Sequence, residues 1–404
     1  MTTTIRTSDP RDLLALIPYQ LGFVPHESAV LISIRRGRSR VGLVARVDLP
    51  DLAHPEHGPQ LARHLVSHLV EDGAATAVLV LWTHADTRDG SGAAQLARRH
   101  VDEAGEYFLG AIDCWVVGAT GYREIDCADE TCCPPSGHPL SDLQASAVSA
   151  EMVLRGERPA RSREELVGVP AVDPRRRRAA RRAAERWRQR GLHAPDDRAL
   201  RQWRRGGLTL WRELTGAVAA AGTEGAAQSH ADPYDGPSVA GPSCVLDAPA
   251  LGRLRAALDD VLVRDAVLVS LVPGCADVAE ALVDGDTGAD VDRALEVIVD
   301  ASRGAPPLDD VVHPARAVLT EVAAHSAGAS HAPSLTLLAM IAWWSGDGAR
   351  ASVLVERALE AEPDHRLGHL VRETLEAAMP PGWVKARRAV EEGDPGAGAQ
   401  DRTA

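Results

Sequence analysis

The sequence is poor in aromatic residues and almost free of lysine. Two Phe, four Tyr and eight Trp make up 3% of its 404 residues. A hydrophobic core must therefore be filled mainly by Ala, Val and Leu, and aromatic platforms for stacked ligands are not expected. Lys385 is the single lysine among 44 basic residues, so the abundance of arginine does not by itself indicate a ligand.

Long apolar runs are also lacking. The nearest candidate for a membrane span, residues 266–272, is far shorter than the roughly 20 residues that a transmembrane helix needs, and Pro273 closes it. An apolar stretch at residues 13–17 ends at Pro18 and is too short for the core of a signal peptide. We therefore expect a cytoplasmic location, where the six cysteines are reduced thiols, metal ligands or a redox device before they form disulfides.

Chain length and net charge limit the number of domains and the kinds of binding partner that we expect. A chain of 404 residues with 45% hydrophobic content exceeds the roughly 250–300 residues of a single core, which predicts two or three domains. The formal net charge of −13 disfavours general binding to nucleic acids or anionic membranes, so any such binding must be local.

The first 170 residues predict an α/β domain with a mixed sheet in two or three layers. Asp9-Pro10 starts a helix that Pro18 is expected to end. Apolar runs at 29–34 and 41–49 flank a basic turn, which predicts an antiparallel hairpin. Helical and strand patterns then alternate over 61–70, 77–82, 93–104 and 111–117, as in a parallel pair joined by a crossover helix. A loop over 121–139 holds three cysteines.

Residues 171–245 are predicted as an arginine-rich helical linker with a flexible end. Residues 174–205 carry thirteen Arg against three acids, and Ala180, Ala183, Ala184 and Trp187 fall on one helical face. The pair at 206–207, Gly-Gly, is expected to interrupt this helical stretch, and residues 222–243 have the composition of a flexible connection.

Residues 246–383 show only helical periodicity with short loops, which predicts an all-helical domain. Seven small or apolar residues have the spacing of a tetratricopeptide repeat: Leu338, Gly346, Ala351, Val355, Ala358, Leu359 and Pro363. One repeat cannot bury its own face, so neighbouring helices must complete the stack. The domain is expected to contact a protein partner or a second copy of the chain, and the alternative is a helix-pair core without a partner. Residues 384–404 are predicted to be a disordered tail.

The cysteine loop contains the sharpest local motif. Cys127, Cys132, Cys133 and His138 are ligand types that zinc prefers, and they could supply four of them. All four lie within twelve residues and two are adjacent, whereas zinc sites usually join two separate turns of chain. Reduced cysteines with a structural role are therefore favoured, and zinc binding and a thiol-redox role are the alternatives.

Arginines form two candidate anion-binding surfaces. One is the hairpin tip with Arg35, Arg36, Arg38 and Arg40, and the other is the helix over 175–190. Residues 247–379 carry 22 acids and 10 Arg, opposite in sign to the basic helix. Docking of the basic helix on these acids, within one chain or between subunits, or simple solvation of the helix is favoured over nucleic-acid binding.

Two further groups are weaker candidates. Arg46 and Asp48 share one face of a strand, where a salt bridge is favoured over a binding site. His84, Asp86 and Asp89 follow the strand at 77–82, at the sheet edge where α/β proteins bind ligands. The sequence lacks a Gly-rich phosphate loop, a Gly-x-Ser-x-Gly elbow and a His-Glu-x-x-His motif, so no known chemistry attaches to that edge.

Several motifs together resemble an actinobacterial family known as domain of unknown function 4192. They are the segments 21–25 (Leu-Gly-Phe-Val-Pro), 46–50 (Arg-Val-Asp-Leu-Pro), 132–139, 147–156, 162–166 and 380–383 (Pro-Pro-Gly-Trp). The resemblance covers nearly the whole chain. It implies that the cysteine loop and the Arg-x-Asp strand are family features, and it implies no activity.

The sequence thus favours a non-catalytic cytoplasmic interaction or regulatory protein. The alternative is a zinc- or thiol-dependent enzyme centred on the cysteine loop. A second alternative is nucleic-acid binding through the arginine-rich helix.

Overall fold

An α/β unit precedes a helical unit in the chain. The computed structural model describes residues 9–35, 40–85, 92–134, 136–155, 157–228, 246–300 and 302–393. The chain divides into two compact units, Met1–Leu166 and Val167–Ala404. The five strands of the described residues all lie in the first unit. The predicted combination of an α/β domain with a helical domain is confirmed.

The sheet of the first unit mixes parallel and antiparallel pairs. Its strands are β1 (Ser28–Arg35), β2 (Arg40–Asp48), β3 (Ala74–Trp82), β4 (Asp113–Val117) and β5 (Tyr122–Glu124), in the order β2-β1-β3-β4-β5. β1 is antiparallel to β2 and β3, β3 is parallel to β4, and β5 is antiparallel to β4. The predicted hairpin and the parallel pair are confirmed, while the hairpin turn at 36–39 lies outside the described residues.

The helices of the first unit are α1 (Pro10–Leu21), α2 (Leu49–Leu52), α3 (Gly58–Glu71), α4 (Ala93–Gly105), α5 (Ser141–Gln144), α6 (Ala147–Leu154) and α7 (Arg163–Leu166). Of these, α2, α3 and α4 pack on the sheet through aliphatic side chains. Leu31 and Leu79 from the strands share one buried cluster with Leu69 of α3 and Val101 of α4. The connection between the parallel strands β3 and β4 contains α4, as the predicted crossover requires.

The predicted end of the first helix at Pro18 is wrong. α1 continues through Pro18 to Leu21 and ends at Gly22, whose φ of 75° is the left-handed conformation typical after a helix. Pro18 removes one helical hydrogen bond. Burial of Leu14 and Ile17 compensates for that loss, because packing of the apolar face contributes most of a helix's stability.

The second unit is built from helices in its described residues. They are α8 (Pro174–Leu192), α9 (Asp197–Gln228), α10 (Ala248–Ala257), α11 (Val261–Val269), α12 (Ala276–Val283), α13 (Ala289–Val299), α14 (Asp309–Ala324), α15 (Ala332–Trp344), α16 (Gly348–Ala361), α17 (Arg366–Glu376) and α18 (Gly382–Gly393), with a 3₁₀ turn at Gly328–His331. None of the helices in the described part of the chain is both long and apolar enough to cross a bilayer.

The predicted linker segment takes part in the packing of this unit. α8 packs on α10, and α9 contacts several of the helices that follow it. The predicted interruption at Gly206-Gly207 is wrong, because α9 runs through both residues. A side chain at either position would crowd a neighbour: a Cβ on Gly206 would lie 3.1 Å from the Trp187 ring, and one on Gly207 would lie 2.9 Å from Ala257 Cβ. The predicted flexible connection is helical as far as Gln228, and residues 229–245 lie outside the described residues.

The repeat-like residues fall in the pair α15 and α16. Gly346 turns the chain between the two helices with a φ of 86°. Trp383 packs beside this turn, and its Nε1 donates a hydrogen bond to the Trp344 carbonyl over 2.7 Å. The tail predicted to be disordered from residue 384 is helical as far as Gly393, and residues 394–404 lie outside the described part.

Candidate metal centre

The cysteine loop is attached to the edge of the sheet at both of its ends. Ile125 N donates to the Cys114 carbonyl over 2.9 Å, which fixes the start of the loop against β4. Asp126 forms an ion pair with Arg98 of α4. At the other end, Tyr122 and His138 exchange two backbone hydrogen bonds of 2.8 and 2.9 Å. The loop thus leaves the edge of the sheet and returns to it next to β5.

A tight turn around Asp129 brings the cysteines together. The Asp129 side chain accepts hydrogen bonds from the backbone N and the hydroxyl of Thr131. The Asp129 carbonyl accepts from Cys132 N over 3.1 Å and from Cys133 N over 2.7 Å. Because this carbonyl also lies 3.9 Å from Cys127 Sγ, the turn folds the adjacent cysteines back towards the first one.

The structure brings together three of the four predicted metal ligands. The sulfur atoms of Cys127, Cys132 and Cys133 lie within 4.8 Å of one another. Cys133 is buried, Cys127 is half-buried and Cys132 is exposed. His138 is not a member of this group in the described part of the chain, because its ring packs against the Tyr122 ring at a centroid distance of 5.1 Å.

The neighbouring thiols resist ionisation. The pKa of Cys132 is raised from 9.0 to about 11, chiefly because its thiol hydrogen-bonds to Cys127 and a thiolate there would face two other sulfurs. Burial raises the pKa of Cys133. These directions are opposite to the depressed pKa that a nucleophilic or redox-active cysteine requires. A bound cation would reverse them, since metal coordination stabilises thiolates.

Arg46 and Asp48 form the predicted salt bridge. Arg46 Nη2 donates to Asp48 Oδ1 over 2.5 Å and to the Ser28 hydroxyl over 2.7 Å. Ser28 in turn donates to the His26 carbonyl over 2.7 Å. The arginine therefore joins β2 to the start of β1.

His84, which the sequence singled out, follows β3 and contacts Glu27, which it did not single out. Glu27 has a φ of 40°, in the left-handed region that non-glycine residues seldom adopt. Its carboxylate accepts hydrogen bonds from the Thr83 hydroxyl and from His84 N. The His84 ring contacts the His26 ring edge to face. Asp86 and Asp89, predicted beside them, lie outside the described residues.

The basic hairpin tip is described only in part. Arg35 is held by two hydrogen bonds to Asp72. Arg40 begins β2 and pairs with Arg35 in the strand register. Arg36 and Arg38 lie outside the described residues.

The basic helices dock on acidic side chains of the same unit. Four ion pairs connect α8 and α9 to the helices and helix ends that follow: Arg188 with Asp259, Arg204 with Asp260, Arg205 with Asp284, and Arg212 with Glu280. Their N–O distances range from 2.5 to 2.9 Å. Docking within one chain therefore accounts for part of the opposite charges of the two segments.

Fold and site together define a class: an α/β protein with a three-thiol cluster, extended by a helical unit. The chain belongs to the family described as Domain of unknown function (DUF4192), whose sequence profile matches residues 10–284 and 291–382. The family membership inferred from the motifs is thus confirmed, and an actinobacterial origin stays a prediction. No curated protein and no solved structure matches the chain.

Proposed function

We propose that this protein is a non-catalytic zinc-binding protein of the cytoplasm, in which Cys127, Cys132 and Cys133 hold the ion. The proximity of the three sulfur atoms, within 4.8 Å of one another, carries the proposal. Thiolates are preferred ligands of zinc, and reduced cysteines are the rule in the cytoplasm.

The cluster needs little rearrangement to accept the ion. Zinc binds thiolates at about 2.3 Å, so two sulfurs of a tetrahedral site lie roughly 3.8 Å apart. Since the observed sulfurs lie within 4.8 Å of one another, each pair has to approach by about 1 Å at most. Cys132 is exposed and free to adjust, whereas burial and the turn at Asp129 hold Cys133 in place. The fourth position would be taken by water or by a group from a partner.

The surroundings of the cluster favour binding over catalysis. A zinc-dependent hydrolase needs a carboxylate or imidazole free to act as a general base beside the open position. Two carboxylates of the loop are already engaged, Asp126 with Arg98 and Asp129 with Thr131, and a third, Glu130, is exposed to solvent. The His138 ring packs on Tyr122. The zinc- or thiol-dependent enzyme is therefore the second candidate.

Metal analysis of the full chain tests the proposal. We expect about one zinc per chain after purification without chelator. The variant Cys132→Ser should weaken zinc affinity by more than about a hundredfold, because loss of a second-shell partner alone costs about 10–100-fold. Cys275→Ser is the matched control, since Cys275 lies in the second unit and outside the cluster.

The outcomes are distinct. Zinc that is lost with Cys132→Ser and kept with Cys275→Ser supports the site. A chain that takes up no zinc from a stoichiometric titration, or equal zinc content in both variants, contradicts it. Turnover of a substrate that requires Cys132 would replace the non-catalytic proposal by the enzyme.

We also propose that the helical unit contacts another protein molecule. Two features support this proposal. The helices α15 and α16 form a repeat-like pair, and the apolar side chain of Leu370 in α17 is 52% exposed. Sedimentation of the full chain tests self-association, with Leu370→Glu as the variant. Two results together would contradict the proposal. The chain would sediment as a monomer at all concentrations, and in affinity capture no partner would be retained by the wild-type chain and lost by the variant.

A further inference from the structure

The second unit contains a cavity whose polar lining is cationic. Its volume is about 330 Å³, and it lies between α8 and α10. The lining residues are Ala183, Arg186, Trp187, Arg190, Pro249 and Arg253. Half of them are arginines and none is acidic, so the cavity presents three positive charges and one indole.

Helix packing explains why these side chains converge. α8 and α10 touch at Gly252, where an added Cβ would lie 2.0 Å from the Ala180 carbonyl oxygen. Arg186 and Arg190 are one turn apart on α8 and therefore point to the same side of the helix. Arg253 follows the contact residue Gly252 on α10. The close contact between the backbones thus fixes the distance between the two arginine-bearing faces.

The cavity arginines have no acidic partner in the described part of the chain. Arg188 on the same helix is paired with Asp259. Within the part of the chain that the structure describes, Arg186, Arg190 and Arg253 form no ion pair. Arg253 Nε and Trp187 Nε1 are enclosed and have no hydrogen-bond acceptor. Enclosed donors without a partner are uncommon in folded proteins, and both of these belong to residues that line the cavity.

No nearby carboxylate of α8 compensates for these charges. Glu185, the acidic residue of this helix, is engaged by Arg188 and Gln189. Three guanidinium groups around one cavity repel one another, and an anion in the cavity would remove that repulsion.

We propose that this cavity binds a small phosphate-bearing metabolite, with its phosphate between the three arginines and a planar group against Trp187. Guanidinium groups match phosphate oxygens in geometry and charge. The volume is at the lower end of the roughly 300–1,000 Å³ of ligand pockets, which suits a ligand of about mononucleotide size. The site is independent of the zinc centre and goes beyond the function proposed for it.

Calorimetric titration of the full chain with three probes tests the ligand class. We expect binding of ADP with a millimolar or tighter Kd, weaker binding of inorganic phosphate, and none of adenosine. A chain that binds neither ADP nor phosphate overturns the proposal. Binding of adenosine as tight as that of ADP also overturns it, because the arginines would then contribute nothing.

Variants locate the binding. Arg186→Gln and Arg190→Gln should each weaken ADP binding about tenfold or more, as expected for a lost charged hydrogen bond. The side chains of both residues are largely exposed to solvent, so neither substitution leaves a charge buried without a partner. Arg178→Gln is the matched control, an exposed arginine of α8 that does not line the cavity. Equal losses of ADP affinity in all three variants would overturn the proposal. Binding of a single-stranded oligonucleotide that ADP does not displace would also overturn it, because the arginines would then attract nucleic acid without a defined site.

Discussion

Arg35 and Asp72 join the end of β1 to the residue after α3 through two parallel hydrogen bonds. Arg35 Nε donates to Asp72 Oδ2 over 3.0 Å, and Nη2 donates to Oδ1 over 2.7 Å. Asp72 Oδ2 also accepts from Leu43 N over 2.7 Å, and the Asp72 side chain is only 2% exposed. One carboxylate therefore holds β1, β2 and the end of α3 together. Gly42 permits this, since a Cβ there would lie 2.1 Å from Asp72 Oδ2.

We predict that Asp72→Ala lowers the free energy of unfolding of the first unit by about 3 kcal/mol. Removal of one partner from a buried ion pair typically costs this much, because the remaining charge and the Leu43 N–H lose their acceptor. Urea denaturation followed by circular dichroism measures the change.

Asp113→Ala is the control for this prediction. Asp113 begins β4 and is exposed, and its replacement should change the free energy of unfolding by less than about 0.5 kcal/mol. Equal effects of the two substitutions would show that the Arg35–Asp72 pair does not stabilise the unit.

Two glycines of the second unit should respond to alanine in opposite directions. Gly252→Ala forces a Cβ to 2.0 Å from the Ala180 backbone oxygen, so α8 and α10 have to separate. We expect a loss of about 2–3 kcal/mol in the free energy of unfolding. Gly216 lies inside α9 with nothing within 4 Å of its Cβ position, and Gly216→Ala should stabilise the unit by about 0.5–1 kcal/mol. Thermal melts of both variants measure this, and a shift of the same sign in both would contradict the packing argument.

Local patterns predicted the elements whose stability is local or whose apolar runs are long. The hairpin β1–β2 and the crossover between β3 and β4 follow from such runs and are confirmed. β5 was missed because Tyr122–Glu124 is too short to show a period. Pro18 and Gly206-Gly207 were misinterpreted, because a helix breaker in sequence is tolerated where tertiary contacts favour the helix.

For the candidate sites too, the sequence predicted what is close along the chain and not what tertiary contacts bring together. The cysteines could be grouped from sequence because they lie within seven residues of one another, and the turn at Asp129 completes the grouping. His138 was assigned to the group by its ligand type alone, and its backbone pairing with Tyr122 directs it elsewhere. Arg253 lies more than sixty residues from Arg190, so no sequence pattern could place the two beside one cavity.

The reactivity of Cys132 provides a prediction for the metal-free protein. Its pKa is raised from 9.0 to about 11, which reduces the thiolate fraction at neutral pH about a hundredfold. Because the thiolate is the nucleophile, the rate of alkylation by iodoacetamide should keep rising up to about pH 11. Mass spectrometry of the modified peptides measures the rate at this cysteine.

The same chain unfolded in urea is the control, since its separated thiols should titrate near their ordinary pKa. A rate at Cys132 that reaches its plateau near pH 7 in the folded chain would contradict the prediction. That outcome would favour the thiol-dependent enzyme over the metal-binding protein.

Asp260 combines two roles at the start of α11, and two substitutions separate them. Its Oδ1 accepts from Leu262 N and Val263 N as a helix cap, and its Oδ2 accepts from Arg204 Nε of α9 over 2.9 Å. Asp260→Asn keeps a capping oxygen and loses the ion pair, so we expect a loss of about 1 kcal/mol in the free energy of unfolding. Asp260→Ala loses both interactions and should cost about 2 kcal/mol, since a cap contributes about 1 kcal/mol. Denaturation curves of the two variants measure the difference, and identical losses would mean that the cap does not stabilise α11.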